Sequence, residues 1–360
     1  MHDRTRPFAA FGISLLSFGL AVPAFGQFRP TLNVNCSRGE SLANAVANAF
    51  PNTLINIKGA CTGPVSITTN GLQLNAVGAA SIDGGGKNAV TITGAQRVGL
   101  TGLSITGGAS GVVAQNAAQA LLQNDTVSGN AQTGISILAN SSVTVTGGSS
   151  QNNGLFGVDV EATSALIVTG SYSITGNAVF GIDVNNGSSL TLTGANLTVS
   201  QNTLGIQLGT NASGFLDGQS ILLANQNFSD GITIVSGSHV VDFGGIIQTI
   251  SNAVHGISLN SKAGLDLDAG SQVTSDGNLG DGVHLEQESE LTVFNNPNFS
   301  GNPSATTLNV QNNQTNGINV LTGSKVLDDN FAEISAQQNS RAGINVDDGS
   351  SVSFGQTIPV

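Results

Sequence analysis

The sequence repeats a four-residue segment in which Gly is followed by an apolar, a polar and a second apolar residue. Its glycines are Gly134, Gly157, Gly181, Gly205, Gly231, Gly256, Gly282, Gly317 and Gly343, with successive gaps of 23, 24, 24, 26, 25, 26, 35 and 26 residues. An Asn stands four residues before each of these glycines except Gly205, which Asn202 precedes by three. A period this regular indicates a repeat architecture, and the single long gap marks an insertion.

The length of the repeat selects among repeat architectures. A propeller blade needs about forty residues and four strands, and a leucine-rich repeat needs a Leu-rich pattern with a helix or tight turn. Neither pattern fits a period of 23–26 residues. We therefore predict an all-β fold, a right-handed single-stranded parallel β-helix, since parallel crossovers are almost always right-handed.

The repeated segment also predicts which side chains point inward. In a strand, alternate side chains lie on opposite faces, so the two apolar residues of each segment line the core. The polar residue between them points outward and forms a column along the helix: Ser136, Asp159, Asp183, Gln207, Thr233, Ser258, His284, Asn319 and Asn345. We expect the Asn residues to form a hydrogen-bonded ladder at one corner, and Gly to permit the bend before each strand.

The sequence predicts three regions along the chain. Residues 1–26 have a basic start, an apolar stretch and small residues before Gln27, which is typical of a secretory signal peptide. Residues 27–63 form a cap with a short helix within 39–50 and a disulfide between Cys36 and Cys61. Residues 64–360 form the parallel β-helix. No capping helix follows the last coil, which predicts self-association through its open strand edges.

The charge of the chain limits its partners. Its formal net charge is −12, and its basic residues are few and scattered. Such a surface disfavours nucleic acid, because nucleic-acid binding needs clustered Lys and Arg. No segment after the signal peptide has the apolar length of a transmembrane span. We expect a secreted protein, extracellular or periplasmic.

Several segments together resemble a known superfamily. They are "CSRGESLANAV", "GACTGPVSI", "IDGGG", "VGLTGLSITGG" and the coils in which Asn precedes Gly. They are similar to the right-handed parallel β-helix repeat proteins of the pectate-lyase-like superfamily, over essentially the whole mature chain. The resemblance implies the fold, and it admits polysaccharide lyases, hydrolases, epimerases, tailspikes and non-catalytic members.

The first candidate site consists of Asp159 and Asp183, which we predict to be catalytic residues. They occupy equivalent positions in adjacent coils, so their Cα atoms should lie about 5 Å apart. Two close carboxyl groups raise one pKa, which suits acid–base catalysis or glycoside hydrolysis. Glu161, Asn185 and Gln207 surround the pair as binding residues, and the carboxylates can alternatively hold calcium. A solvated acidic patch is the other interpretation, since no Arg, Lys or aromatic residue is evident in these columns.

The second candidate site lies in the segment "SDGNLGDGVHLEQESEL", where His284 and Glu286 are candidate binding residues among many acids. A His in this setting can act as a general base or a weak metal ligand. A solvated acidic turn is the other interpretation. His239 and His255 are expected to be isolated surface or turn residues.

The motifs of the catalytic relatives are missing. The Asn-Thr-Asp and Arg-x-Lys segments of polygalacturonases are absent, and so is the Tyr-Gly-x-Asp-Pro-His pattern of alginate epimerases. The sequence therefore favours a secreted, non-catalytic protein that binds polysaccharide or a cell-surface polymer. A carbohydrate-active enzyme of the same fold is the alternative. No cofactor or metal is predicted, with calcium left open.

Overall fold

We analysed a computed structural model, which describes residues 30–294, 305–328 and 332–355. The strands are numbered β1 to β32 in chain order. Twelve short strands form one parallel sheet, the twelve-strand sheet, in which each strand pairs with its equivalent in the next coil. They are β3 (Val65–Ile67), β5 (Val90–Thr93), β8 (Val112–Gln115), β10 (Ile135–Ile137), β12 (Phe156–Val160), β14 (Phe180–Val184), β16 (Leu204–Leu208), β19 (Ile232–Val235), β22 (Ile257–Asn260), β25 (Val283–Leu285), β28 (Ile318–Val320) and β31 (Ile344–Val346).

The other twenty strands form a second parallel sheet that bends around the rest of each coil. They are β1 (Thr31–Asn35), β2 (Leu54–Thr62), β4 (Gln73–Asp83), β6 (Val98–Thr101), β7 (Ser104–Thr106), β9 (Gln119–Ser128), β11 (Ser142–Gln151), β13 (Ala165–Thr175), β15 (Ser189–Ser200), β17 (Ser213–Leu216), β18 (Ile221–Asn225), β20 (His239–Phe243), β21 (Ile246–Ile250), β23 (Gly264–Asp268), β24 (Gln272–Asp276), β26 (Glu290–Val293), β27 (Thr307–Gln311), β29 (Lys325–Asp328), β30 (Glu333–Gln337) and β32 (Ser351–Phe354). The two sheets together confirm the predicted parallel β-helix.

The core is a continuous column of apolar side chains inside the coils. The predicted stack is in register: Ile135 pairs with Val158, which pairs with Ile182. All three side chains are fully buried. Burial of each such side chain favours folding by about 1.5–3 kcal/mol, which outweighs the weak strand preference of a Gly- and Asn-rich sequence.

The repeated Asn residues form the predicted ladder at the corner before the twelve-strand sheet. The Nδ2 of Asn153 donates to the Oδ1 of Asn177 at 2.9 Å, and Asn177 donates in the same way to Asn202 at 3.0 Å. The backbone N–H of each Asn also donates to the Oδ1 of the next one. Asn202 keeps its place in the ladder despite its shorter spacing from Gly205.

The repeated Gly has a different role from the one that the sequence suggested. Gly157 does not have the positive φ that favours glycine. A Cβ at Gly157 would lie 2.6 Å from the carbonyl oxygen of Gly181 and 2.7 Å from the Nδ2 of Asn177. The same close approach to the next coil's carbonyl recurs from Gly134 to Gly317. The position requires Gly because the Asn ladder and the carbonyl of the next coil leave no room for a side chain, and not because the corner needs a left-handed backbone.

The N-terminal helix α1 (Leu42–Ala47) follows a 3₁₀ turn (Cys36–Arg38). Its buried Leu42 and Val46 pack against the first strands, whereas Phe50 lies beyond the helix and is exposed. The predicted disulfide between Cys36 and Cys61 is present and joins the 3₁₀ turn to β2.

The regional boundaries from the sequence stay predictions. β1 and β2 already pair in the bent sheet, so the parallel pairing starts before residue 64. The predicted signal peptide, residues 1–26, lies outside the described residues, as does part of the insertion before Gly317. Within the described ranges, no helix is long and apolar enough to cross a membrane.

Candidate functional site

The outer surface of the twelve-strand sheet, here called the outward face, carries three columns of side chains. The central column is the one predicted from the sequence, and its register is as expected: Asp159 pairs with Asp183, and Asp183 with Gln207. The first column holds the residue before each repeated Gly: Thr133, Phe156, Phe180, Leu204, Asp230, His255, Asp281, Asn316 and Ala342. The third column lies two residues beyond the central one and includes Glu161, Asn185, Asn260 and Glu286.

An apolar strip flanks the first candidate site. The rings of Phe156 and Phe180 are stacked, with centroids 5.5 Å apart and planes inclined by 4°. Phe180 pairs in turn with Leu204 on the next coil. The columns read from the sequence contain no aromatic residue beside Asp159 and Asp183, but Phe156 and Phe180 occupy the adjacent column of the same two coils.

Asp159 and Asp183 lie side by side in β12 and β14, as their spacing predicted. The Oδ1 of Asp183 accepts hydrogen bonds from the Nδ2 of Asn185 at 2.6 Å and from the Nε2 of Gln207 at 3.3 Å. The Oδ1 of Asp159 is buried and has no hydrogen-bond partner. The two carboxyl groups therefore have different environments although their positions in the coil are equivalent.

Both aspartates are shifted toward the neutral form. Burial raises the pKa of Asp159 to about 7, and the charges of Glu161 and Asp183 add to this effect. Burial also raises the pKa of Asp183 to about 6, and hydrogen bonds from Gln207 and Asn185 partly oppose the change. Near neutral pH, the pair therefore exchanges a proton easily, which is the property that acid–base catalysis needs.

The predicted binding residues have separate positions around the pair. Asn185 and Gln207 contact Asp183 directly, whereas Glu161 acts on both aspartates through its charge. The three carboxyl groups lie close enough to influence one another, but the calcium site stays a prediction.

The second candidate site lies around β25 and is built on a buried carboxylate. Asp281 has a side chain that is 4% exposed. Its Oδ2 accepts a hydrogen bond from the Nδ1 of His284 at 2.8 Å and another from the Nδ2 of Asn319 at 2.8 Å. Its Oδ1 accepts from the backbone N–H of Asn316 at 2.9 Å, from the Asn316 side chain, and from the Thr315 hydroxyl.

His255 is part of this cluster, so its predicted isolation is wrong. Its ring stacks on that of His284, with centroids 4.4 Å apart and planes inclined by 17°. Its Nδ1 accepts a hydrogen bond from the backbone N–H of Asp281 at 3.0 Å. His239 is not isolated either, because its Nε2 lies 3.0 Å from Asp266 on the bent sheet.

Hydrogen bonding determines the charge of this cluster. Burial raises the pKa of Asp281, but hydrogen bonds from His284, Thr315, Asn316 and Asn319 outweigh it and hold that pKa well below its ordinary range. Burial lowers the pKa of His284, but the hydrogen bond to Asp281 outweighs it and raises that pKa overall. Burial lowers the pKa of His255. At neutral pH the cluster therefore contains an ionised Asp281 beside a readily protonated His284.

The same residues offer donor atoms for a metal, since atoms of His255, Asp281 and His284 lie within 4.8 Å of one another. Both Nδ1 atoms, however, already have hydrogen-bond partners. The two rings are nearly parallel, so their lone pairs do not converge on one point. This geometry favours proton transfer over metal coordination.

The acidic segment around His284 does not form one cluster. Asp281, His284 and Glu286 lie on the outward face, whereas Glu288 lies in the following turn and Glu290 in β26 of the bent sheet. Asp276 lies in β24 on that sheet. The coil therefore separates acids that are neighbours in sequence, and it adds His255 from the preceding coil.

Sequence reasoning missed the first column, including Phe156, Phe180, His255 and Asp281 as partners of the central column. A signal was available, because each of these residues directly precedes a repeated Gly. Strict alternation would place the residue before Gly on the inward face, because it stands three positions before the outward residue of the central column.

Comparison with known proteins agrees with this architecture. Residues 55–204 match the family described as "Right handed beta helix region". No curated protein sequence matches the chain.

Solved structures with a similar fold include a pectate lyase, with a TM-score of 0.49 and 15% identity over 69% of this chain and 78% of that one. An alginate lyase from Paenibacillus sp. has a TM-score of 0.43 and 13% identity, over 88% of this chain and 99% of that one. The A-module of a mannuronan C-5 epimerase from Azotobacter vinelandii has a TM-score of 0.41 and 12% identity, over 86% of this chain and 83% of that one. The strand pairing makes the chain a parallel β-helix, and its residues 55–204 match the right-handed β-helix family.

Proposed function

We propose that this chain is an extracellular protein that binds a neutral polysaccharide along its outward face. One observation carries the proposal: an apolar strip of Phe156, Phe180 and Leu204 runs in register beside the polar side chains of Asp159, Asp183 and Gln207. Sugars present apolar C–H faces and hydroxyl groups, so a surface that offers both kinds of contact at the same coil spacing suits a sugar chain.

The charge of the outward face supports a neutral polymer. Between Thr133 and Asp347, the described residues of the three columns include several carboxyl groups and no Lys or Arg. A polyuronate carries like charge and would be repelled. The Cys36–Cys61 disulfide supports an oxidising compartment, in agreement with the signal peptide predicted at residues 1–26.

Catalysis is the second candidate function, and the shifted pKa values of Asp159 and Asp183, about 7 and about 6, favour it. A carboxyl group that is protonated near neutral pH can act as a general acid, while an ionised neighbour acts as nucleophile or base. The same polymer would then be bound and hydrolysed at the same coils.

Binding is tested by affinity electrophoresis with soluble xylan, mannan and β-glucan, and with polygalacturonate and alginate as charged polymers. We expect retardation by at least one neutral polymer. Phe180→Ala should weaken that binding about tenfold, which corresponds to the roughly 1.4 kcal/mol of a lost aromatic contact. The matched control is Phe215→Ala, which removes a 40% exposed ring from β17 of the bent sheet.

Equal losses in the two Phe variants, or a preference for the uronates, would contradict the proposal. The catalytic candidate is tested with the same polymers by measuring released reducing ends. Release that disappears in both Asp159→Asn and Asp183→Asn, but not in Asp268→Asn on β23, would identify an enzyme. Binding without any release supports the non-catalytic function.

A further inference from the structure

The Asp281–His284 pair holds the neutral imidazole in one defined tautomer. Asp281 is ionised and accepts a hydrogen bond from the Nδ1 of His284, so the proton of the neutral ring lies on Nδ1. The Nε2 atom consequently carries the free lone pair. An oxygen of Glu286 lies 3.8 Å from this Nε2 atom, which is beyond hydrogen-bond distance.

The position of the ring is fixed on several sides. Asn319 and Asn316 hold the carboxylate of Asp281, and the ring of His255 covers one face of His284. Glu286 is itself hydrogen-bonded to the side-chain amide of Asn260. The His284 side chain lies on the outward face and is 15% exposed. A buried carboxylate and an oriented imidazole whose second nitrogen keeps its lone pair together have the arrangement of a general base.

We propose that His284 is the general base of a catalytic centre at the second candidate site, which hydrolyses O-acyl esters carried by a neutral sugar polymer. Asp281 is its positioning residue. The identity of the polymer rests on the proposed function, whereas the general-base role of His284 rests on the geometry of this cluster.

The surroundings of His284 determine the class of substrate. Asp230, Asp281 and Glu286 influence the two imidazoles through their charges, so a uronate is disfavoured and a neutral ester is preferred. Exposed apolar side chains lie at the corner before the outward face, one in each of the coils that carry Asp230, His255 and Asp281. Phe228 is 68% exposed, Val254 is 39% exposed and Leu279 is 51% exposed. Each of them stands one or two residues before a member of the first column. An acyl group can pack against this apolar corner while its ester bond lies near His284.

The reaction needs only water as a second reactant. The Nε2 of His284 takes a proton from water as the water oxygen forms a bond to the acyl carbonyl carbon. The bond between that carbon and the sugar oxygen then breaks, and the protonated imidazole returns its proton to the sugar oxygen. The products are a carboxylic acid and the free hydroxyl of the sugar, and His284 ends as it began. During the step, the charges of Asp281 and Glu286 stabilise the imidazolium.

The test uses the intact chain with p-nitrophenyl acetate and with O-acetylated xylan, measuring nitrophenolate and acetate. We expect His284→Gln to lower kcat/KM at least 100-fold for both substrates. The matched control is His239→Gln, which removes a His that has its own carboxylate partner, Asp266, on the bent sheet, and should leave the rate unchanged. Equal rates for the wild type and His284→Gln would overturn the proposal.

The role of Asp281 in positioning His284 is tested with the Asp281→Asn variant. For the wild type, kcat/KM should rise with pH as His284 loses its proton and then level off. Without the Asp281 carboxylate, the pKa of His284 falls, so this rise moves to lower pH while the plateau decreases. A lower plateau with an unmoved profile would overturn the positioning role.

If the variants fold poorly, the protonation of His284 can be observed directly in the wild-type protein. Nitrogen-15 NMR of the histidine rings in the wild type should show His284 protonated at Nδ1 above its pKa; protonation at Nε2 would overturn the proposal. The two proposals fail separately. Ester hydrolysis without polymer binding overturns the proposed function, and polymer binding with no hydrolysis of either ester overturns only the second centre.

Discussion

At the scale of single residues, the repeated Gly and its neighbours show what the packed coil requires. Gly157 lies so close to the Gly181 carbonyl and the Asn177 amide that no side chain fits. Gly280 has a similar constraint near the candidate site, since a Cβ there would lie 2.8 Å from the Nδ1 of His255. The positions of these glycines could be found from the sequence. The reason why these positions require Gly could not be found from the sequence, because it depends on atoms one coil away.

Gly157→Ala should therefore destabilise the protein strongly. The new Cβ would lie 2.6 Å from a backbone oxygen that cannot move without disturbing the ladder, and we expect a loss on the order of 2–4 kcal/mol. Thermal unfolding measured by circular dichroism checks this. Gly218→Ala is the matched control, because Gly218 is exposed and its nearest contact would be 3.3 Å away. Equal melting temperatures for the two variants would contradict the steric explanation.

At the scale of structural elements, polar ladders stabilise the corners between strands. Beside the Asn ladder, a second ladder of serines lies after the twelve-strand sheet: the backbone N–H of Ser141 donates to the Oγ of Ser164, and that of Ser164 donates to Ser188. The Asn ladder was predicted from the sequence, whereas the Ser ladder was not. Ser is common throughout this chain, so its period is harder to detect than that of an Asn fixed four residues before a Gly.

Replacing one Asn in the middle of its ladder should be costly. Asn177→Asp removes the donors to Asn202 and to the Ser150 carbonyl, and it places a carboxyl group in a buried row of acceptors. We expect a loss of about 3 kcal/mol in the free energy of unfolding. Asn339→Asp should cost less, because Asn339 is only partly buried and donates to the Val310 carbonyl. Chemical denaturation of both variants measures the difference; a larger loss at Asn339 would count against the ladder.

At the scale of the whole molecule, several carboxyl groups are buried without a cationic partner. Burial raises the pKa values of Asp125 and Asp242 to about 7, against backbone hydrogen bonds that partly oppose the change. Asp159 and Asp183 are raised as well. A raised pKa means that the folded state binds more protons than the unfolded state between about pH 4 and pH 7. The stability from these groups is therefore complete below pH 4 and is lost as the pH rises to about 7.

The protein should accordingly melt at a higher temperature at pH 4.5 than at pH 8. Asp242→Asn should reduce this difference, since the amide keeps the acceptor for the Gly245 N–H and cannot ionise. The gain at pH 8 should be on the order of 1–3 kcal/mol, with little change at pH 4.5. The exposed Asp348→Asn variant serves as the control in melting curves at both pH values. A wild-type melting temperature that increases from pH 4.5 to pH 8 would refute the prediction.

The sequence by itself determined the coil, its register and the face on which Asp159, Asp183 and His284 lie. It could do so because a period of about two dozen residues places equivalent residues on neighbouring parallel strands. Only the tertiary structure decided that Phe156 and Phe180 flank the aspartates and that His255 stacks on His284. It also decided that Asp281 is ionised while Asp159 is shifted toward the neutral form. Those properties depend on side-chain direction, burial and hydrogen bonds between coils, and a linear period carries no information about them.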